Sequence, residues 1–233
     1  MAPAIKWWNK SINSVKGCNK ITPGCNNCYA CESLRTKDKV NPHIVTFHKE
    51  KLRIPTWNKS YIIFMVSMSD LFNHQIPDSW IDKVFAGMNQ SPHHKYVIIT
   101  KRIERMNEYC TNYYYKYKTF PKSVWLGVTA EDQKRADQRL PLLLNTPAYH
   151  HIVSVEPMLE PINLTFSGKY KLQWVINGGE RTRNEPRVMK ADWARDIRDQ
   201  CAVNNVPYFF KQMTNNEDIP EDLQIQQYPM SMR

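Results

Sequence analysis

Four cysteines lie within fourteen residues near the start of the chain, in the segment GCNKITPGCNNCYAC. Three of them, Cys18, Cys25 and Cys28, are separated by six and then two residues and fall in one predicted loop. Thiolates this close together hold zinc or an iron–sulfur cluster. The N-terminus lacks the apolar stretch of a secretory signal, so we expect a cytoplasmic location, where cysteines stay reduced. A metal site is therefore a better interpretation than disulfides.

The fourth cysteine, Cys31, leaves two kinds of metal site open. It follows Cys28 by three residues on a predicted helix, so the two side chains share one face of that helix. As a fourth ligand, Cys31 would complete a four-coordinate structural zinc site. As a core residue, it would leave three thiolates for an iron–sulfur cluster. Cys110 and Cys201 are isolated in the sequence.

Short β-branched or aromatic runs alternate with helix-like segments along the rest of the chain. Continuous apolar runs are typical of buried parallel strands. The predicted strands are 11–15, 44–47, 61–67, 96–100, 124–129, 151–155, 173–177 and 207–210, and the predicted helices include 78–89, 132–144 and 191–204. Eight strands predict a compact α/β (β/α)8 TIM-like barrel with the cysteine loop after its first strand. An open doubly wound sheet is the alternative fold.

The barrel is expected to form a single domain over residues 1–233, with a polar, turn-rich tail over 213–233 that packs on the barrel or frays. Polar residues follow each predicted strand, and in a barrel these positions meet at the catalytic end. They are Ser67, Ser69 and Asp70; Thr100, Lys101 and Arg102; Thr129 and Glu131; Glu156; Asn177 and Glu180; and Lys211 and Gln212. Singly, each of them also suits a cap, a turn or a solvated charge.

The composition favours a polyanionic partner. Lys and Arg total 32 against 22 Asp and Glu, which gives a net charge of +10. Basic segments at 49–59, 101–105 and 181–187, the last ending in Arg187, lie near Trp57, Tyr96 and 113–115 in sequence. Positive charge for phosphates and rings for unstacked bases suit a nucleic acid. No apolar run is long enough to span a membrane, and no P-loop, Gly-x-Ser-x-Gly or HExxH motif is present.

Seven blocks of the sequence resemble the phage Gp37/Gp68 family, DUF5131, which occurs in phages and bacteria. They are GCNKITPGCNNCYA, SMSDLF at 67–72, TKRIERM at 100–106, GVTAED at 127–132, SVEPMLEPI at 154–162, NGGE at 177–180 and FFKQ at 209–212. The three-cysteine loop is similar to that of radical S-adenosylmethionine enzymes, including the aromatic Tyr29 beside the last cysteine. Its spacing of six and two residues differs from the commonest spacing of three and two.

This resemblance implies a [4Fe–4S] cluster on Cys18, Cys25 and Cys28, with one iron open to S-adenosylmethionine. The residues predicted to bind that cofactor are Tyr29, Ser67, Ser69, Asp70, Glu131 and Glu156. The predicted catalytic or substrate-binding residues are Lys101, Arg102, Asn177, Glu180, Arg187, Lys211 and Gln212.

The main prediction is an iron–sulfur enzyme of phage or bacterial origin that modifies or repairs a nucleic acid or nucleotide. It would need a reductant for its cluster. The alternatives are a zinc-stabilised nucleic-acid-binding protein and a metal-dependent nuclease.

Overall fold

A computed structural model of the chain describes residues 5–52 and 58–232, which form an α/β fold. The strands are β1 (Lys10–Ile12), β2 (Val15–Lys16), β3 (Thr46–Phe47), β4 (Ile62–Met65), β5 (Lys95–Thr100), β6 (Val124–Thr129), β7 (His150–Val155), β8 (Trp174–Gly178) and β9 (Tyr208–Gln212). The α-helices are α1 (Tyr29–Thr36), α2 (Asp78–Asn89), α3 (Ile103–Tyr117), α4 (Gln133–Leu143) and α5 (Ala191–Val203). Short 3₁₀ helices span Pro23–Cys25, Lys49–Leu52, Thr214–Asn216, Glu221–Leu223 and Met230–Met232.

Seven strands form one parallel sheet in the order β1, β4, β5, β6, β7, β8, β9. The register places Thr100 of β5 beside Val128 of β6, and Thr129 of β6 beside Ser154 of β7. Because all the pairs are parallel, the carboxyl ends of the strands lie along one edge of the sheet. Loops from all seven strands can therefore contribute to a single site at that edge.

The predicted closed (β/α)8 barrel is wrong, because the sheet is an open half-barrel of seven strands. The run at 44–47 supplies only β3, which pairs antiparallel with β2 in a separate two-stranded sheet. The doubly wound alternative is also wrong, because the strand order follows the chain without the reversal that such a fold requires.

Large apolar side chains fill the concave face of the half-barrel. Trp125 and Trp174 project from β6 and β8 and cluster with Trp7 from the N-terminal segment and Met232 from the tail. The tail also runs along the free edge of β9, where Phe210 N donates to Ile225 O at 2.8 Å. Described residues near both ends of the chain thus pack against the sheet.

The larger core lies between the convex face of the sheet and the helices. Helix α2 has the predicted bounds and buries Ile81, Val84, Phe85 and Met88, the spacing of one helical face. Helix α3 was not predicted, although Ile103, Met106 and Cys110 repeat at the same helical spacing and are buried. No helix among the described residues has the length and apolar content to cross a membrane.

Candidate functional site

A cavity opens on the concave side of the half-barrel, at the carboxyl ends of the strands. It contains about 1100 Å³ of space that protein atoms do not fill, part of it continuous with solvent. The predicted site residues that line it are Cys18, Cys25, Cys28, Tyr29, Ser67, Ser69, Asp70, Lys101, Arg102, Glu156, Glu180 and Lys211. The structure therefore brings most of the predicted site residues together at one cavity.

Three cysteines of the N-terminal segment contribute to the cavity wall. Cys18 follows β2, Cys25 ends the 3₁₀ helix Pro23–Cys25, and Cys28 is the N-cap of α1. Cys31 is on the first turn of α1 and lines a smaller, adjoining pocket instead. Cys28 lines both spaces, so Cys31 lies next to Cys28 without lining the main cavity itself.

Two glycines allow the cysteine loop to approach its neighbours. Gly17 has a φ of +90°, and a Cβ on it would lie 2.1 Å from Ile44 O. A Cβ on Gly24 would lie 2.9 Å from the carboxyl carbon of Glu131. Because any larger residue would collide at these positions, the glycines fix the path of the chain directly before Cys18 and directly before Cys25.

The thiols experience different electrostatic surroundings. A hydrogen bond from Cys31 lowers the pKa of Cys28, and the charge of Lys101 acts in the same direction against burial. The same hydrogen bond, together with burial, raises the pKa of Cys31. Burial and the charge of Asp70 raise the pKa of Cys18, although Arg102 opposes them. Among Cys18, Cys28 and Cys31, Cys28 is therefore the thiol whose thiolate form its surroundings favour.

Asp70 and Arg102 connect the ends of β4 and β5 to the cysteine loop. Arg102 Nη1 donates to Asp70 Oδ2 at 2.8 Å, and Arg102 Nη2 donates to Asn19 O at 3.0 Å. Asp70 also accepts from Thr100 Oγ1 at 2.6 Å and from Lys101 N at 3.1 Å. Its carboxylate is thus occupied by protein donors, and the pair positions Cys18, whose Sγ is 3.6 Å from Arg102 Nη1.

Glu131 lies behind the cavity wall rather than in it. It is fully buried, and Arg139 Nη1 donates to its Oε2 at 2.7 Å while Thr22 donates to Oε1. Burial opposes ionisation, but the nearby charges of Arg139 and Lys101 lower its pKa overall. Glu131 therefore holds the cysteine loop through Thr22, and it does not face a ligand as predicted.

Glu180 and Arg187 form a second support for the cysteine loop. Glu180 accepts from Arg187 Nε at 3.1 Å and from Asn27 Nδ2 at 2.9 Å, and Arg187 Nη1 donates to Pro23 O at 2.9 Å. Burial opposes ionisation of Glu180, but its hydrogen bonds with Arg187 lower its pKa overall. Glu180 lines the cavity, whereas Arg187 does not.

The wall formed by the ends of β7 and β9 carries a second ion pair. Lys211 Nζ donates to Glu156 Oε1, and it also lies 5.5 Å from the ring centroid of Trp8. Gln212 Nε2 donates to Glu156 Oε1 at 3.2 Å from outside the cavity lining. Glu156 and Lys211 are thus the charged pair that faces the cavity from this wall.

Polar groups near the mouth of the cavity hold the start of α1. Tyr29 Oη donates to Ser67 O at 2.8 Å, and Ser67 Oγ donates to Asn13 Oδ1 at 3.1 Å. Ser69 Oγ donates to Gly17 O. The two serine hydroxyls line the cavity but already donate to protein groups.

Several predicted residues lie elsewhere or serve the fold. Asn177 is buried on the convex side of β8, where it accepts from Tyr208 Oη at 2.9 Å. Tyr96 is buried, and Arg105 binds Asn73 O and Ile76 O, so neither is free to bind a nucleic acid. Trp57 lies outside the described residues.

Sequence reasoning missed part of the cavity lining. Thr100 and Thr129, which were expected at the strand ends, also line the cavity, whereas the lining residues that were not expected are Trp7, Trp8, Gly24, Asn27, Ala30, Phe64, Ile99, Ser154, Pro157, Gly179 and Arg181. Trp8 comes from the N-terminal segment, and because this residue belongs to no predicted strand, the sequence did not indicate its contact with the sheet. Phe64 and Ile99 lie within β4 and β5 and carried no polar signal. Among the described residues, no three His, Cys, Asp or Glu side chains are placed to share one metal ion.

Comparison with known proteins gives a family without an assigned activity. The family described as "protein of unknown function (DUF5131)" matches residues 2–226, nearly the whole chain. Neither the curated proteins nor the solved structures gave a match.

Proposed function

Because the chain belongs to the DUF5131 family of proteins of unknown function, we propose its activity from its cavity. It is an iron–sulfur enzyme of the radical S-adenosylmethionine type, and its substrate is a nucleic acid or a nucleotide. One observation carries the proposal: Cys18, Cys25 and Cys28 line the same cavity at the carboxyl ends of parallel strands, while Cys31 lines another pocket.

The donor set suits such a cluster. Thiolates are the protein ligands of [4Fe–4S] clusters, and this cavity wall offers three of them. The surroundings favour charge on Cys28, whose pKa is lowered by Cys31 and by Lys101. Arg102 gives Cys18 a positive neighbour at 3.6 Å from its Sγ. Three thiols at the wall of one cavity therefore support an iron–sulfur cluster on Cys18, Cys25 and Cys28, although these thiols do not already surround a single ion position.

When bound, a reduced cluster of this type supplies the electron that cleaves S-adenosylmethionine to methionine and a 5′-deoxyadenosyl radical. The protein contributes binding, orientation and exclusion of water. Glu156 presents a carboxylate to the cavity and can accept hydrogen bonds from a ribose hydroxyl or an ammonium group. Trp8, Phe64 and Ile99 provide an apolar wall on one part of this space.

Charge supports a phosphate-bearing substrate. The net charge is +10, and Lys101, Arg181 and Lys211 all line the cavity. Trp8 adds a ring on which a nucleobase can stack. The resemblance to phage Gp37/Gp68 proteins supports an origin of this protein in a phage or in its bacterial host. The cytoplasm of such a host would supply the reductant.

A zinc-stabilised nucleic-acid-binding protein is the second candidate. The hydrogen bond between Cys31 and Cys28 favours it, because this contact brings the fourth thiol next to the third. A nuclease using strand-end carboxylates has less support. Asp70, Glu131 and Glu180 are each paired with an arginine, so their charge is already balanced within the protein.

Anaerobic purification of four cysteine variants tests the proposal. Wild-type protein should be brown and hold about four irons per chain, and Cys18→Ala, Cys25→Ala and Cys28→Ala should each lose the cluster. Cys31→Ala is the matched control, because it removes a thiol one helical turn from Cys28, and it should keep its iron. Colourless wild-type protein with one zinc, or metal loss in all four variants, would establish the four-cysteine site instead.

A further inference from the structure

The loops that lead into the parallel strands are basic and carry no carboxylate. Segments 58–61, 90–94, 118–123, 144–149, 166–173 and 204–207 precede β4 to β9, and none contains Asp or Glu. Together with the first residue of β5, they contain Lys59, Lys95, Lys118, Lys122, Lys169 and Lys171. The cavity is at the other end of the sheet, and its lining includes the carboxylates Asp70, Glu156 and Glu180. The molecule thus has a positive face that is separate from its candidate site.

Exposed tyrosines accompany the lysines at the centre of this end. Tyr115 is 65% exposed and Tyr149 is 46% exposed. Lys118 Nζ lies 5.9 Å from the ring centroid of Tyr115, and Lys122 Nζ lies 5.5 Å from that of Tyr149. Each ring therefore has an ammonium group beside it while much of its surface remains open to solvent. We define Lys95, Tyr115, Lys118, Lys122 and Tyr149 as the basic–aromatic face.

The topology keeps these residues together. Lys95 begins β5, Lys122 precedes β6, and Tyr149 directly precedes β7, and these three strands are neighbours in the sheet. Neighbouring strands are about 4.8 Å apart, so the starts of β5 and β7 are separated by about 10 Å. Within the described part of the chain, Lys95, Lys118 and Lys122 form no ion pair with a carboxylate. Lys118 and Lys122 are exposed to solvent, and Lys95 is half-buried.

We propose that the basic–aromatic face binds single-stranded nucleic acid. Lysines without carboxylate partners neutralise phosphates, and exposed rings stack on bases that are not paired. Duplex bases are already stacked within the helix and cannot use the tyrosines in this way. The surface acts by binding alone, so it does not depend on the chemistry proposed for the cavity. It would hold a strand at the end of the sheet remote from the cysteines.

Fluorescence anisotropy with a labelled oligothymidylate of about 16 nucleotides tests this surface on the full chain. Lys118→Glu/Lys122→Glu should weaken binding about tenfold or more and make the salt dependence shallower by about 1.4 in log–log slope. Tyr115→Ala/Tyr149→Ala should weaken binding about tenfold with little change in that slope, because stacking releases no counterions.

Lys134→Glu/Lys190→Glu is the matched control. It changes the net charge equally, but both exposed lysines lie at the N-terminal ends of helices, towards the cavity end of the sheet. Binding within about twofold of wild type is expected for this control. Equal weakening by both charge reversals would show binding by net charge alone and overturn the proposal. Unchanged binding in both lysine variants would also overturn it.

Two further comparisons separate the classes of ligand. A duplex of the same length should bind more weakly than the single strand, and polyglutamate should displace the oligonucleotide poorly, because it offers no rings. Equal displacement by polyglutamate would assign the face to acidic proteins.

In the unmodified chain, ultraviolet crosslinking to a bromouracil oligonucleotide should map to Tyr115 or Tyr149. Crosslinks confined to Trp8 would place the strand in the cavity and reject this surface.

Discussion

Arg102 and Asp70 form an ion pair of 2.8 Å although their side chains are only 11% and 8% exposed. Asp70 lies in the loop after β4 and Arg102 directly after β5, so the pair joins the ends of two neighbouring strands. The same guanidinium reaches Asn19 O and Cys18 Sγ. One buried arginine therefore connects the sheet to the first cysteine of the loop.

Removal of this arginine should destabilise the protein. In Arg102→Met, the Asp70 carboxylate stays buried without its cationic partner, so we expect the free energy of unfolding to fall by about 3 kcal/mol. Urea denaturation measures this loss. Hydrogen exchange at Cys18 and Asn19 should also become faster, because the donor that fixes their loop is gone.

Two further variants identify the cause. Asp70→Asn in the Arg102→Met background removes the unpaired charge and should recover part of the lost stability. Asp222→Asn alters an exposed ion pair with Arg195 and Arg198 and should change stability little. If the Arg102→Met variant were as stable as the wild type, the buried pair would have no structural role.

A buried histidine makes stability depend on pH. His151 is 1% exposed, its Nε2 lies 2.9 Å from Thr146 O, and burial lowers its pKa to about 4. The ring stacks on Tyr170, and the charge of His150 also lowers the pKa of His151. Because the unfolded histidine binds a proton at a higher pH than the folded one, stability is complete above about pH 6.5 and is lost as the pH falls towards 4.

The His151→Gln variant should therefore lose less stability than the wild type between these pH values. The difference should reach at most about 3 kcal/mol at the acidic end. Thermal unfolding at a series of pH values provides the measurement. His74→Gln replaces an exposed histidine and should keep the wild-type profile. Parallel profiles for wild type and His151→Gln would refute the assignment.

Strand positions could be predicted from local apolar runs, but strand pairing could not. The run at 124–129 is a strand over its full predicted length. The run at 44–47 has the same local character, yet Thr46 and Phe47 pair with Lys16 and Val15 instead of joining the parallel sheet. Nothing within the run specifies that partner, because pairing depends on a segment about 30 residues away.

The side on which a polar residue lies was equally hard to predict. Successive strand residues face opposite sides, so a polar residue at a strand end can face either the cavity or the helices. Asn177 follows the inward-facing Ile176 and is therefore on the convex side, bound to Tyr208. Glu131 was placed near the right strand end, but its burial against Arg139 depends on a helix that packs behind the wall.

Glu156 is expected to contribute directly to cofactor binding. Glu156 and Lys211 both line the cavity and form an ion pair there, and Lys211 Nζ lies 5.5 Å from the ring centroid of Trp8. Glu156→Gln keeps the size of the side chain but removes the charge. Because hydrogen bonds to a charged group contribute about 1.5–3 kcal/mol, S-adenosylmethionine should bind the variant at least about tenfold more weakly.

Calorimetry on anaerobically reconstituted protein, with iron content matched between samples, measures this difference. Glu217→Gln is the control, because Glu217 is exposed and does not line the cavity. That variant should bind S-adenosylmethionine as the wild type does. Equal affinity of wild type and Glu156→Gln, with the cluster assembled in both, would remove Glu156 from the cofactor site while leaving the three-cysteine cluster intact. Loss of iron in Glu156→Gln would instead make this carboxylate a support of the cysteine loop.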